Sequence, residues 1–132
     1  MREVLVRVTR VMANLSVPDI DAARDFYADY LGLHEEGLAG LDWVARFESP
    51  DRRTAVQLVT QDATAPEDSV VSVAVGDDIE EAYAEALRRG YEIVYPLTTE
   101  PWGIRRFFVR APDGNLININ GHQDAWQTDA GE

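Results

Sequence analysis

The chain of 132 residues contains no cysteine and no lysine. Without cysteine there is no disulfide, no thiolate metal ligand and no thiol nucleophile. Without lysine there is no Schiff-base chemistry and no P-loop lysine, and all 12 basic residues are arginine. His34 and His122 are the only histidines, so a three-histidine zinc site cannot be built within one chain. No stretch approaches the roughly 20 apolar residues of a membrane span. Residues 1–10 alternate apolar and charged side chains where a signal peptide would carry an apolar core, so a cytoplasmic location is expected. Positive charge is scarce: 12 arginines face 24 carboxylates, a formal charge of -12. That surface repels nucleic acid and anionic membranes and favours a cationic ligand, while also keeping the protein solvated.

The 45% apolar content is ordinary, and the length is that of one domain able to bury a core without covalent staples. Val4, Val6 and Val8 alternate with Leu5, Arg7 and Thr9, and a second alternation runs from Met12 to Val17; both read as strand. Asp19 can cap a helix whose face carries Ile20, Ala23, Phe26, Tyr27, Tyr30 and Leu31, read as core, and Gly32 stops it. Strand-like segments follow at 33–36, 41–48 and 54–60. The same order then recurs: a strand at 70–75, a helix after Asp77 and Asp78 with Ile79, Ala82, Tyr83, Ala86 and Leu87 on one face, a stop at Gly90, and strands at 92–95, 105–110 and 116–120. Val17-Pro-Asp matches Val75-Gly-Asp, Gly32 matches Gly90, and Ser49-Pro-Asp matches Ala111-Pro-Asp. An internal duplication is therefore expected, with module one at about 10–61 and module two at about 69–120. Together these make one domain over residues 1–121, followed by a polar tail, 122–132. A four-stranded sheet carrying one helix covers only one of its faces, so two such modules leave a concave second face for a ligand.

The duplication, the Val17-Pro-Asp-Ile-Asp-Ala-Ala-Arg-Asp-Phe-Tyr27 segment with Leu31-Gly-Leu33, and the stretch from Pro101 through Trp102-Gly103, Arg105, Phe107 and Asp113-Gly-Asn115 resemble the vicinal oxygen chelate superfamily. It includes glyoxalases, extradiol dioxygenases, fosfomycin-modifying enzymes and bleomycin resistance proteins, and the last series is most similar to the bleomycin resistance branch. The resemblance implies an α+β fold of two tandem βαβββ modules forming a curved mixed sheet around a groove. It also implies a homodimer with grooves near the subunit interface, and the long alternating stretch from Glu3 to Val17 is compatible with an exchanged N-terminal strand. The positions at which the resemblance places metal ligands carry Met12, Gln57, Val70 and Asn118, with no carboxylate or imidazole among them. Neutral amides beside a thioether and an isopropyl group suit a hard divalent ion poorly, so no metal and no cofactor are expected.

No nucleophile, base and orienting group stand out as a catalytic set. His34, between a helix and a strand and beside Glu35 and Glu36, reads as a rim histidine, and His122 as a surface residue beyond the last strand. Strand alternation from the implied groove positions adds Asn14 and Asn120 to that face. Trp43, Trp102 and Phe107 are candidate stacking platforms; Arg105 and Arg106, consecutive strand residues, face opposite sides, so that one of them can enter the groove or, as the stronger expectation, pair with carboxylates. The expected ligand-binding set is Met12, Asn14, Trp43, Gln57, Val70, Trp102, Arg105, Phe107, Asn118 and Asn120. The expected function is sequestration of a hydrophobic or cationic aromatic compound such as an antibiotic. The alternatives are a metal-dependent glyoxalase or dioxygenase and a metal-free isomerase or lyase.

Overall fold

The computed structural model describes residues 6–36 and 40–122, with His122 described through its backbone. By contacts the chain divides into two compact units, residues 12–68 and residues 1–11 with 69–132. Each holds one strand-helix-three-strand module, an α+β arrangement, and none of the described helices is long and apolar enough to cross a membrane.

In the first module β1 (Arg10–Ser16) leads to α1 (Ile20–Arg24), then β2 (His34–Glu36), β3 (Val44–Glu48) and β4 (Ala55–Val59). The strands lie in the order β2-β3-β4-β1, with β1 parallel to β4 and the other pairs antiparallel. Asp19 caps α1 as its sequence position suggests: its Oδ1 accepts from the amides of Asp21 and Ala22 at 2.9 and 3.4 Å. The helix does not stay α-helical. Residues Asp25–Tyr30 form a π-helical continuation, closed by the Leu31 amide donating to the Phe26 carbonyl at 3.0 Å. The wider turn alters which side chains meet the sheet. Tyr27 packs on Phe47 with ring centroids 5.8 Å apart, but Phe26 and Tyr30, expected in the core, are 52% and 75% exposed. Ile20, Ala45, Phe47 and Leu58 form the buried core beneath the helix.

The second module runs β5 (Val71–Gly76), α2 (Ile79–Arg88), β6 (Glu92–Thr99), β7 (Ile104–Arg110) and β8 (Leu116–His122), in the sheet order β5-β8-β7-β6. Ile79, Ala82 and Ala86 of α2 close over Val75, Phe107 and Val109. Gly121 stands where α2 meets the sheet. An added Cβ there would lie 2.2 Å from the Gly76 carbonyl oxygen and 2.8 Å from Ile79 Cβ, so only glycine fits.

The hairpin turns of the two modules differ at one matched position. Gly114 takes φ 95° in the Pro112-Asp113-Gly114 turn, whereas in the Pro50-Asp51-Arg52 turn Arg52 adopts φ 62°. A left-handed non-glycine residue costs about 1–2 kcal/mol. Asp51 accepts from the Ser49 hydroxyl and the Arg53 amide at 2.7 and 3.0 Å, and the Arg52 guanidinium lies 3.6 Å from both Glu36 and Glu48, contacts that offset that cost.

The expected strand at 4–9 is not formed across residues 6–9, and residues 4 and 5 lie outside the described residues. The Arg7 amide donates to the Asp78 carboxylate at 2.9 Å and the Thr9 amide to the Ala74 carbonyl at 2.8 Å, so a side chain interrupts what would be a ladder. These bonds join the N-terminal segment to the second module. They also divert Asp78 from capping α2, which has no side-chain cap. The polar tail 123–132 lies outside the described residues.

Candidate functional site

The four strands of each module have one face under that module's helix and one turned away, and strand register decides which residues share the second face. In the first module Asn14 pairs with Gln57 across β1 and β4, and Gln57 pairs with Arg46 across β4 and β3. Their side chains form one network. Gln57 Nε2 donates to Asn14 Oδ1 at 2.8 Å, and Arg46 Nε and Nη2 both donate to Gln57 Oε1 at 3.1 Å. Gln57 is 8% exposed and the neighbouring Met12 4%. Both ends of the Gln57 amide are therefore engaged, its oxygen by a guanidinium.

In the second module Ser72 and Asn118 pair across parallel β5 and β8, and Asn118 Nδ2 donates to Ser72 Oγ at 3.2 Å. Phe108 stands across from Asn118 on β7, with Arg106 two residues away on the same face. Arg106 donates through Nε to Glu100 Oε2 at 2.6 Å, and the Tyr95 hydroxyl donates to the same oxygen at 2.9 Å. The Arg106 and Glu100 side chains are 5% and 3% exposed. Around the guanidinium stand Phe108, Trp102 and Tyr95, with ring centroids 4.9, 5.4 and 5.5 Å away, all within cation-π range. Trp102 reaches this position from the tight turn joining β6 to β7, where the Gly103 amide donates to the Glu100 carbonyl at 2.9 Å and Gly103 takes φ 96°.

Two expected site residues belong to the other face. Phe107 is 1% exposed and packs edge-on against Tyr83 of α2, with centroids 4.9 Å apart. Together with Val6, Val8, Val73 and Val109 it lines an apolar cavity of about 300 Å³ under α2. Arg105, on the same face, pairs with Glu80 of α2 and donates to Thr99 Oγ1 at 3.1 Å. Neither is a groove residue, and Arg106 and Phe108 take the face turned from the helix. Val70 precedes β5, is 45% exposed and donates its amide to the Leu116 carbonyl. Trp43 is half-buried in the bend before β3, and Asn120 is half-buried on β8, paired with Ala74 and Arg106. Arg46, Tyr95, Glu100 and Phe108 escaped sequence reasoning as a site, and Arg106 enters it only as an alternative to Arg105. Only the pairing registers, which put Arg46 beside Gln57 and Phe108 beside Asn118, reveal them.

The acids beside His34 are turned toward arginines. Glu35 accepts from Arg24 Nε and Nη2 at 2.7 and 2.9 Å, and the hydrogen bonds from Arg24 hold its carboxyl below the usual carboxylate range. A carboxyl whose folded pKa is depressed stabilises the fold above its unfolded pKa, and that contribution is lost as the pH falls through the folded value. Glu35→Gln is expected to lower the thermal midpoint slightly at pH 7, because the pair is partly exposed. The difference from the parent should shrink as the pH falls below 4.5. A difference that persists unchanged into strong acid would exclude the ion pair as its source.

Met12, Gln57, Val70 and Asn118 do not fit a hard divalent ion. Met12 offers a thioether and Val70 offers nothing, the Gln57 oxygen faces a guanidinium, and Asn118 is a neutral amide. Among the described residues no group of three histidine, aspartate or glutamate side chains could hold a metal.

The chain belongs to the glyoxalase/bleomycin resistance protein/dioxygenase superfamily, whose sequence profile matches residues 7–119. Two duplicated βαβββ modules are the fold that this family shares. Solved structures agree. A glyoxalase/bleomycin resistance protein/dioxygenase superfamily member from Vibrio splendidus 12B01 matches at 20% identity and TM-score 0.62, over 87% of this chain and 99% of that one. A Legionella pneumophila protein described as an NAD-dependent benzaldehyde dehydrogenase matches at 17% identity and TM-score 0.69, over 86% and 100%. The Mn(II)-bound glyoxalase of Novosphingobium aromaticivorans matches at 25% identity and TM-score 0.57, over 88% of this chain but 38% of that one. No functionally curated protein matches the chain significantly.

Proposed function

We propose that this chain is a metal-free small-molecule binding protein that sequesters a hydrophobic or cationic aromatic compound of the antibiotic type, acting as a cytoplasmic homodimer. The observation that carries this reading is the engagement of Gln57. Its oxygen accepts two hydrogen bonds from Arg46 and its nitrogen serves Asn14, so an internal guanidinium holds the oxygen that a metal would need. Binding without chemistry needs a preformed surface, stacking aromatics and a few placed polar groups. Trp102 and Tyr95 supply the aromatics, the Asn14 and Asn118 amides supply polar groups, and the charge of -12 favours a cation.

The 25% identity to the Mn(II)-bound glyoxalase favours a second reading, a metal-dependent enzyme of that type. A single experiment separates the two: elemental analysis of the purified protein, followed by titration of tryptophan fluorescence with a panel of glycopeptide and polyaromatic antibiotics. Saturable quenching by one of these compounds at micromolar concentration, without a stoichiometric metal, is the expected result. A stoichiometric divalent ion, with glyoxalase-type turnover lost on chelation, would establish the enzyme instead.

A further inference from the structure

We propose that the cavity under α2 binds a free medium-chain aliphatic carboxylate, with the tail against its apolar walls and the head at Arg89. The site lies on the helix side of the second module and is independent of the face proposed for aromatic compounds. All of its walls belong to one compact unit, residues 1–11 with 69–132. Val6 and Val8 of the N-terminal segment line it beside Val73, Val75, Phe107 and Ile119 of the sheet. From α2 it meets Ala82 and Ala86, whose small side chains leave the space between helix and sheet unfilled. Its volume of about 300 Å³ is at the small end of the range for small-molecule sites, which suits a narrow tail.

The polar lining comes from the C-terminal end of α2 and the residues just beyond it: Glu85, Arg89 and Tyr91. Glu85 Oε2 accepts from Arg89 Nε at 2.6 Å, and Glu85 Oε1 pairs with Arg88. Two guanidiniums therefore share one carboxylate, and the cluster keeps an excess of positive charge. An ammonium head would have to displace an arginine from Glu85, whereas a carboxylate head can join the cluster. Besides Glu85, the Arg89 side chain meets Tyr91. A guanidinium has more N–H donors than two single hydrogen bonds use, and their planar fork matches a carboxylate. Glu81, one helical turn earlier, is exposed and does not line the cavity. The overall charge of -12 acts from farther away and is screened over about 8 Å at physiological ionic strength.

Calorimetric titration of the full chain with octanoate, octanamide and octylammonium tests this, since the tails are alike and the heads differ in charge. Octanoate is expected to bind about tenfold more tightly than octanamide, the ratio that one charge-assisted hydrogen bond provides, with octylammonium the weakest. Arg89→Gln, at a half-exposed side chain, should reduce octanoate to the affinity of octanamide. Ala86→Leu adds bulk where the helix faces the cavity and should weaken both octanoate and octanamide about tenfold. If that variant fails to fold, the Arg89→Gln comparison decides alone. Equal binding of octanoate and octanamide by the parent, or a preference for octylammonium, would overturn the proposal. So would a folded Ala86→Leu protein that binds octanoate as the parent does, or no octanoate binding at millimolar concentration. Binding that appears only after removal of residues 2–5 would make the chain's own leading segment the occupant, and a parent dimer split by Ala86→Leu would give this face to a second copy; either overturns the proposal. None of these outcomes decides the antibiotic titration, which reads the other face.

Discussion

Glu100→Leu is expected to destabilise the protein by about 3–5 kcal/mol in urea unfolding, and adding Arg106→Met should recover most of that loss. The asymmetry follows from burial. Both side chains lie almost wholly inside, joined at 2.6 Å, and the Tyr95 hydroxyl donates to the same carboxylate oxygen. Removing the carboxylate alone takes from a nearly buried guanidinium the charge that it meets at 2.6 Å. Removing both charges leaves an apolar pair among Tyr95, Trp102 and Phe108, a setting in which methionine packs well. The coupling between the two substitutions is the readout. Losses that simply add would place the Arg106 charge in contact with solvent and refute the buried pair.

Phe107→Ala should cost about 3–5 kcal/mol, while Trp102→Ala should cost far less. Phe107 is enclosed by Val75, Ile79, Ala82, Ala86 and Val109, with Tyr83 edge-on, so truncation opens a void beside the existing apolar cavity. Trp102 sits half-buried on a turn and gives up one face of a cation-π contact. In the proposed function the loss of Trp102 falls on binding, and the loss of Phe107 falls on folding. Urea midpoints and fluorescence titrations on both variants separate these roles. A Phe107→Ala protein with parental stability and abolished binding would return that residue to the ligand face.

Adjacent residues reverse these roles because β7 reads Ile-Arg-Arg-Phe-Phe-Val-Arg and shows no alternation. Its side chains are buried on both faces, Phe107 and Val109 against α2 and Arg106 and Phe108 on the other, and a strand buried on both faces loses the period that would reveal its phase. The pairing of Phe108 with Asn118 decides the phase, and that register is a property of two strands. The first helix misled for a related reason. Phe26, Tyr27 and Tyr30 fit a stripe at 3.6 residues per turn, but the π-helical turn widens the local period and leaves only Tyr27 on Phe47.

What the sequence by itself determined was local or repeated. The Asp19 cap, the left-handed glycines Gly32 and Gly90 and the Pro112-Asp113-Gly114 turn appear where the residues place them, because each is decided by a few bonds along the chain. The order of elements and the family followed from the duplication of these signals. Tertiary structure alone decided which side chains meet. Arg46 found Gln57 from a neighbouring strand, Glu100 folded back on Arg106 across a turn, and Asn118 kept an oxygen that no neighbour among the described residues satisfies. Those meetings depend on register, on burial from two sides and on the balance between desolvation and pairing. No stretch of sequence contains these quantities until the strands are laid side by side.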